Sequence, residues 1–229
     1  MKRTYFSLGT NCTIAHNLKY FGLQEKSGLS DSFISSYFSI LWLFENKFNI
    51  VSNSMDLYLK KIELAGSDTI VHVPSGLVMH HAFSRDENGF VVKHWRDEIK
   101  EVSKKYKYLG DRMRASILTA PNPIFYITHD VMSDSDKDRI LTSWQAEISK
   151  RDDAILRIIN QARIIFERNL KFVLVDVREN TREAVSSLQG VKVMGVHYHG
   201  DFHDGNPSHF GGCKKGWREV FEQVEQSVF

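Results

Sequence analysis

Short apolar runs alternate with longer stripes of 3.6-residue period along this chain, and the alternation predicts an α/β fold. Tyr5-Phe6-Ser7-Leu8 reads as a strand, followed by a helix from about Thr13 to Phe21 and a Gly/Ser connection at Ser27-Gly28-Leu29-Ser30. A second helix carries Ile40, Leu41, Leu43 and Phe44, and Leu57, Leu59 and Ile62 are spaced as one face of another. From Thr69 to Met79, β-branched residues flank a Pro-Ser-Gly turn, the pattern of a hairpin or of two short strands. Trp95 to Ala120 reads as a charged helix whose stripe is Ile99, Val102, Tyr106, Leu109 and Met113. The second half predicts a strand at Ile124–Ile127, a helix at Ala154–Phe166 and strands at Phe172–Val175 and Val191–Val196. A last helix runs from Trp217 to Val228. The strands at Ile124 and Phe172 lack polar alternation, as parallel strands covered on both faces do. The expectation is an open, mostly parallel sheet with helices on both faces, of Rossmann-like or flavodoxin-like type. Ser133-Asp134-Ser135-Asp136-Lys137-Asp138 reads as a surface loop and helix start. Trp42, Trp95 and Trp144 fall on element faces and read as core.

Composition narrows the class. At 229 residues, with 42% hydrophobic residues, the chain can bury one good core, so one domain over 1–229 is expected. The net charge of +2, with both signs interspersed, gives no reason to expect nucleic acid or an anionic membrane as partner. No stretch has the roughly 18 apolar residues of a membrane span. The N-terminus has no signal-peptide core, and a reducing cytoplasm fits the two cysteines, Cys12 and Cys213, although their sequence leaves a disulfide open.

The candidate chemistry follows strand ends, where open α/β sheets place their ligands. Gly9-Thr10-Asn11-Cys12 puts a thiol at a helix N-terminus, where oriented N–H groups favour an anion and the thiol is expected to ionise more easily than a free one. His16 is its neighbour one turn on. His80-His81, His129-Asp130 and the loop from His197 to His209 also follow apolar runs. A thiol nucleophile needs an imidazole to take and return its proton, and a polar group to orient that imidazole.

The pattern Ser7-Leu8-Gly9-x-x-Cys12-x-x-Ala15-x-x-Leu18, then Phe21-Gly22-Leu23, Asp31 and His80-His81-x-Phe83, resembles the bacterial papain-like cysteine peptidase domains, a family of unknown function. That family usually reads Pro-Phe-Asp-Trp in the middle and His-His-Asp-Phe later. Here Leu29-Ser30-Asp31-Ser32-Phe33 keeps the aspartate and lacks the tryptophan, and Ala82 replaces the second aspartate. The resemblance covers the first third of the chain and returns at Trp217-x-x-Val220-Phe221. It implies a thiol-dependent hydrolase with Cys12 as nucleophile, His80 or His81 as base and Asp31 as orienting group. It requires no cofactor, and it implies a small-molecule, peptide or glycan substrate, with surface polysaccharide metabolism as one setting.

Three other readings use the same chain. A nucleophile after the first strand, with Asp204 and His209 before the last helix, resembles the SGNH hydrolases and implies acyl transfer or deacylation on a glycan. The amides of Cys12 and of Asn11 or Gly9 would then form the oxyanion hole. Alternatively, His197, His199 and His203, with Asp201, Asp204 and His209, offer ligands for a divalent metal. The fourth is an enzyme-derived fold that binds a carbohydrate or a partner without turnover, which the loss at Ala82 favours.

Overall fold

The computed structural model describes residues 3–8, 12–26, 28–33, 35–50, 56–62, 67–79, 81–128, 151–177, 179–199 and 212–227. Its centre is a four-stranded parallel sheet of β1 (Thr4–Ser7), β5 (Pro123–Thr128), β6 (Leu170–Val175) and β7 (Val191–Val196). The strands lie in the order β1-β5-β6-β7. The register pairs Tyr5 with Ile124, Phe125 with Phe172 and Val173 with Met194. Order in space follows order in sequence, so the described strands contain no reversal of winding. β5 is buried along its whole length, as its unbroken apolar run requires.

Backbone alternation sends successive side chains to opposite faces, and two cores result. On one face Phe6, Phe125 and Phe172 stack in a row with successive ring centroids 5.1 Å apart. They meet the helices α2 (Tyr37–Glu45), α3 (Ile99–Thr119) and α4 (Arg151–Phe166). On the other face Tyr5, Tyr126, Val173 and Val196 pack against α1 (Thr13–Tyr20) and α6 (Lys214–Gln226). The open parallel α/β sheet with helices on both faces is thus observed.

The larger core also takes in a second, antiparallel sheet of β2 (Leu57–Ile62), β3 (Ser67–His72) and β4 (Leu77–Val78). Here the helix expected for Leu57, Leu59 and Ile62 is corrected to a strand, paired from Leu57 opposite His72 to Ile62 opposite Ser67. Three apolar positions in six residues fit either period, and pairing with the β-branched Thr69-Ile70-Val71 decides it. The segment expected as a hairpin is one, with Val71 opposite Val78. A short helix missed in the sequence, α5 (Glu179–Ser186), buries only Thr181 and Val185, too thin a stripe for periodicity to find. The expected loop at 133–138 and Trp144 lie outside the described residues.

Candidate thiol site at the carboxyl edge of the sheet

α1 starts where β1 ends because Ile14 and Leu18, one turn apart, bury completely against the sheet. Cys12 occupies the N-cap and receives the His16 amide on its carbonyl at 2.8 Å, while its side chain caps nothing. Asn17 ties this helix to α6. Its amide nitrogen donates to the Thr13 carbonyl at 2.9 Å, and its oxygen accepts from Lys214 Nζ, also at 2.9 Å.

Asp31 comes to the same place from a 3-10 turn at Ser30–Ser32. Ser30 anchors that turn to the sheet by donating its hydroxyl to the Ser7 carbonyl at 2.5 Å. The Asp31 side chain is 4% exposed, and Oδ2 accepts from the Gly28 amide at 2.6 Å and Gln24 Nε2 at 3.1 Å, with Lys19 Nζ at 3.5 Å. Oδ1 is buried and has no hydrogen-bond partner among the described residues. Burial raises the Asp31 pKa above the ordinary carboxylate range, against the lowering effect of the Gly28 amide and of Lys19.

The thiol senses this carboxylate. Burial, first, and the Asp31 charge push the Cys12 thiol up from its ordinary value, while a backbone N–H of its own residue and Lys19 pull it down. The expected easier ionisation is therefore overturned in the resting protein, because desolvation outweighs the helix terminus. Both cysteines are free thiols. Cys213 has a structural place as the N-cap of α6, its amide donating to the Tyr198 hydroxyl at 2.8 Å.

Of the nominated bases, His80 and His209, with the acid Asp204, lie outside the described residues, as do His129, Asp130, Asp201 and His203. His81 is exposed, and burial, Arg85 and Lys105 lower its pKa. The charges acting on it are thus different from Asp31 and Lys19, which act on Cys12. His16 has its pKa lowered by burial and by Lys214 and Lys19. Asp31 is thus near enough to Cys12 for its charge to act on the thiol, and His81 stands in a different charge environment.

A second pair stands at the ends of β6 and β7. Asp176 takes a left-handed backbone conformation (φ 55°) and binds His197 Nδ1 through Oδ1, which also accepts the Tyr198 amide at 3.2 Å. His197 is 69% exposed, and its ring lies edge-on to His199 with centroids 4.5 Å apart. The two imidazoles do share a side, yet no group of three His, Cys, Asp or Glu able to hold a metal occurs among the described residues. Sequence reasoning missed Asp176, although it follows the run Phe172–Val175 and the same strand-end rule would have selected it.

No helix among the described residues is long and apolar enough to cross a membrane. Comparison with known proteins finds no match, whether to a family model, a curated protein or a solved structure.

Proposed function

We propose that the protein is a thiol-dependent hydrolase or acyltransferase with Cys12 as nucleophile. The observation that carries this reading is the convergence of Cys12 and buried Asp31, nineteen residues apart, with one carboxylate oxygen left unpartnered. Oδ2 is committed to Gly28, Gln24 and Lys19, so Oδ1 is the acceptor available to an imidazole N–H. The chemistry follows from those roles. A histidine of the His80–His81 pair removes the Cys12 proton, and the sulfur adds to an acyl carbonyl. The leaving group departs with that proton, and water or a second nucleophile cleaves the thioester. A thiol that rests protonated suits this order, since the base acts when substrate excludes water. The substrate class is a small-molecule, peptide or glycan acyl compound, and two free cysteines support a cytoplasmic setting.

One observation favours a second reading, an SGNH-like acyl hydrolase with its base after the last strand. His197 already has an orienting carboxylate in Asp176. Three strand spacings separate β1 from β7, about 14 Å, so this base would have to reach the thiol through the connecting loops.

The test is incubation with p-nitrophenyl acetate, followed by intact-mass analysis and p-nitrophenolate release. An acetyl adduct that survives Cys213→Ser and disappears in Cys12→Ser is expected. An adduct unaffected by Cys12→Ser overturns the proposal. Loss of turnover in the double variant His80→Ala/His81→Ala selects the first base assignment, and loss in His197→Ala selects the second.

A further inference from the structure

We propose that the outer face of α1 binds the negatively charged part of an acyl substrate, with Lys214 of α6 as the residue that selects it. This names the substrate class of the thiol site and rests on the assignment of Cys12 as nucleophile. Cys12, His16, Lys19 and Tyr20 stand at i, i+4, i+7 and i+8, so they share one strip of α1. His16 and Lys19 are exposed, and Tyr20 is 60% exposed. A substrate whose carbonyl meets Cys12 can lay its remaining atoms along this strip, where one turn spans about 5.4 Å.

The charges along the strip are unbalanced. Lys214 Nζ donates to Asn17 Oδ1 at 2.9 Å and stands 4.5 Å from the centre of the Tyr20 ring, and both partners are uncharged. Asn17 is fully buried and spends its amide nitrogen on the Thr13 carbonyl, which turns its oxygen to the ammonium. One turn further along α6, the Arg218 guanidinium lies over the Phe21 ring at 5.8 Å. Among the described residues no carboxylate pairs with Lys214, Arg218 or His16. The carboxylate at this end of the sheet, Asp31, is answered by Lys19. Lys19 acts on the thiol, whereas Lys214 acts on His16, so the uncompensated ammonium sits beyond Cys12 along the helix. Holding a lysine in one place costs rotamer freedom, and a lysine that served only solubility would need no buried asparagine to fix it. An ammonium held in advance by neutral groups is instead preorganised for an anion such as a carboxylate, phosphate or sulfate. A neutral or cationic acyl chain would leave that charge unanswered.

The test first measures modification of Cys12, in the full chain carrying Cys213→Ser, by the anionic reagent sulfonatoethyl methanethiosulfonate and by its cationic trimethylammonioethyl counterpart. Each forms a disulfide with the thiol and releases methanesulfinate, so the ratio of rates reads charge preference without acyl chemistry. Normalised to the same ratio for mercaptoethanol, it should favour the anion by at least about tenfold at low salt. It should fall toward unity between about 0.05 and about 1 M salt. Lys214→Met should lower it severalfold and Lys214→Arg should restore it, while Arg157→Met, on the helix α4 that packs on the opposite face of the sheet, leaves it unchanged. In a second arm, mono-p-nitrophenyl adipate should acylate Cys12 at least about tenfold faster than its neutral methyl ester. A reagent ratio that favours the cation, or that ignores Lys214→Met, overturns the proposal. Acylation by both esters at one rate overturns the substrate class alone. Acylation by neither ester, with the reagent preference intact, overturns the nucleophile assignment and the substrate class with it. If Lys214→Met does not fold, the wild-type ratio decides, and a ratio indifferent to salt overturns the proposal.

Discussion

Gly216→Ala tests how the end of β7 is held beside the site. Gly216 lies in the first turn of α6, where alanine is intrinsically better than glycine by up to about 1 kcal/mol. The structure predicts the opposite sign. An added Cβ would lie 2.5 Å from the His199 carbonyl oxygen and 2.8 Å from Tyr198 Cε2. Ordinary contact begins near 3.4 Å, so the segment or the helix must move by most of an ångström. Tyr198 cannot swing away cheaply, because it is buried against Trp217 with ring centroids 5.0 Å apart and its hydroxyl receives the Cys213 amide. Overpacking of this kind costs about 1–3 kcal/mol, which leaves a net loss of up to about 2 kcal/mol after the helix gain. At this chain length the melting temperature should fall by up to about 8 °C. Thermal melts followed by circular dichroism measure it, and the His197 imidazole proton resonances should shift with the displaced segment. A variant that melts at or above the wild type, with His197 unmoved, refutes the close packing of α6 on residues 198–199.

Three further predictions bear on charge. Asp31→Asn should lower the pH at which Cys12 is alkylated by iodoacetamide, and Lys19→Ala should raise it, since the carboxylate raises and the ammonium lowers the thiol pKa; equal profiles would break the proposed pairing. Asp31 itself has a folded pKa above its unfolded value, so its contribution to stability is fully present below the unfolded pKa and is lost as pH rises through the folded one. Asp31→Asn should therefore stabilise the protein at pH 7 relative to pH 3, as read by urea midpoints, and the same difference at both pH values would contradict it. His72 is buried, pairs through Nδ1 with the Ser75 hydroxyl at 2.6 Å and has its pKa lowered by burial, with Asp56 opposing. Its contribution holds above about pH 6.5 and is lost below, so stability in His72→Phe should decline less steeply from pH 7 to 5.

The parallel sheet was legible because its inner strands are continuous apolar runs of four or more residues, a pattern that buried parallel strands produce and helices of that length rarely do. The second sheet was half legible. Its hairpin carried a Pro-Ser-Gly turn at 74–76, whereas the three apolar positions of β2 fit a helix as well as a strand and took their state from pairing with β3. At the site, Cys12 was nominated by its place at a helix start after the first strand and Asp31 by resemblance of motif, and the position of Asp31 rests on the Ser30 hydroxyl and the Gly28 amide. Such backbone-mediated anchors have no sequence signature beyond a small residue and a hydroxyl. The ionisation of Cys12 was misjudged for a similar reason. A helix terminus can be read from sequence, and the depth at which the sulfur sits cannot.

The winding of the sheet changes how the edge must be understood. In a doubly wound sheet the crevice between oppositely wound halves selects where ligand binds. The described strands here run β1-β5-β6-β7 without reversal, so topology supplies no such crevice among them. What marks one part of the carboxyl edge is chemistry. At the β1 end, burial raises the cost of ionising both a half-buried thiol and a carboxylate, and the carboxylate adds to the cost for the thiol. That arrangement is stable only while at least one proton is held or a cation is near, and Lys19 supplies the cation at 3.5 Å on one side of Asp31 alone. The unpartnered Oδ1 on the other side then acquires a physical meaning. An imidazolium formed by taking the Cys12 proton would meet both anions at once, gaining from Asp31 and from the new thiolate. The vacant carboxylate oxygen would favour charge separation once a histidine donates to it, against the raised thiol pKa, which opposes it.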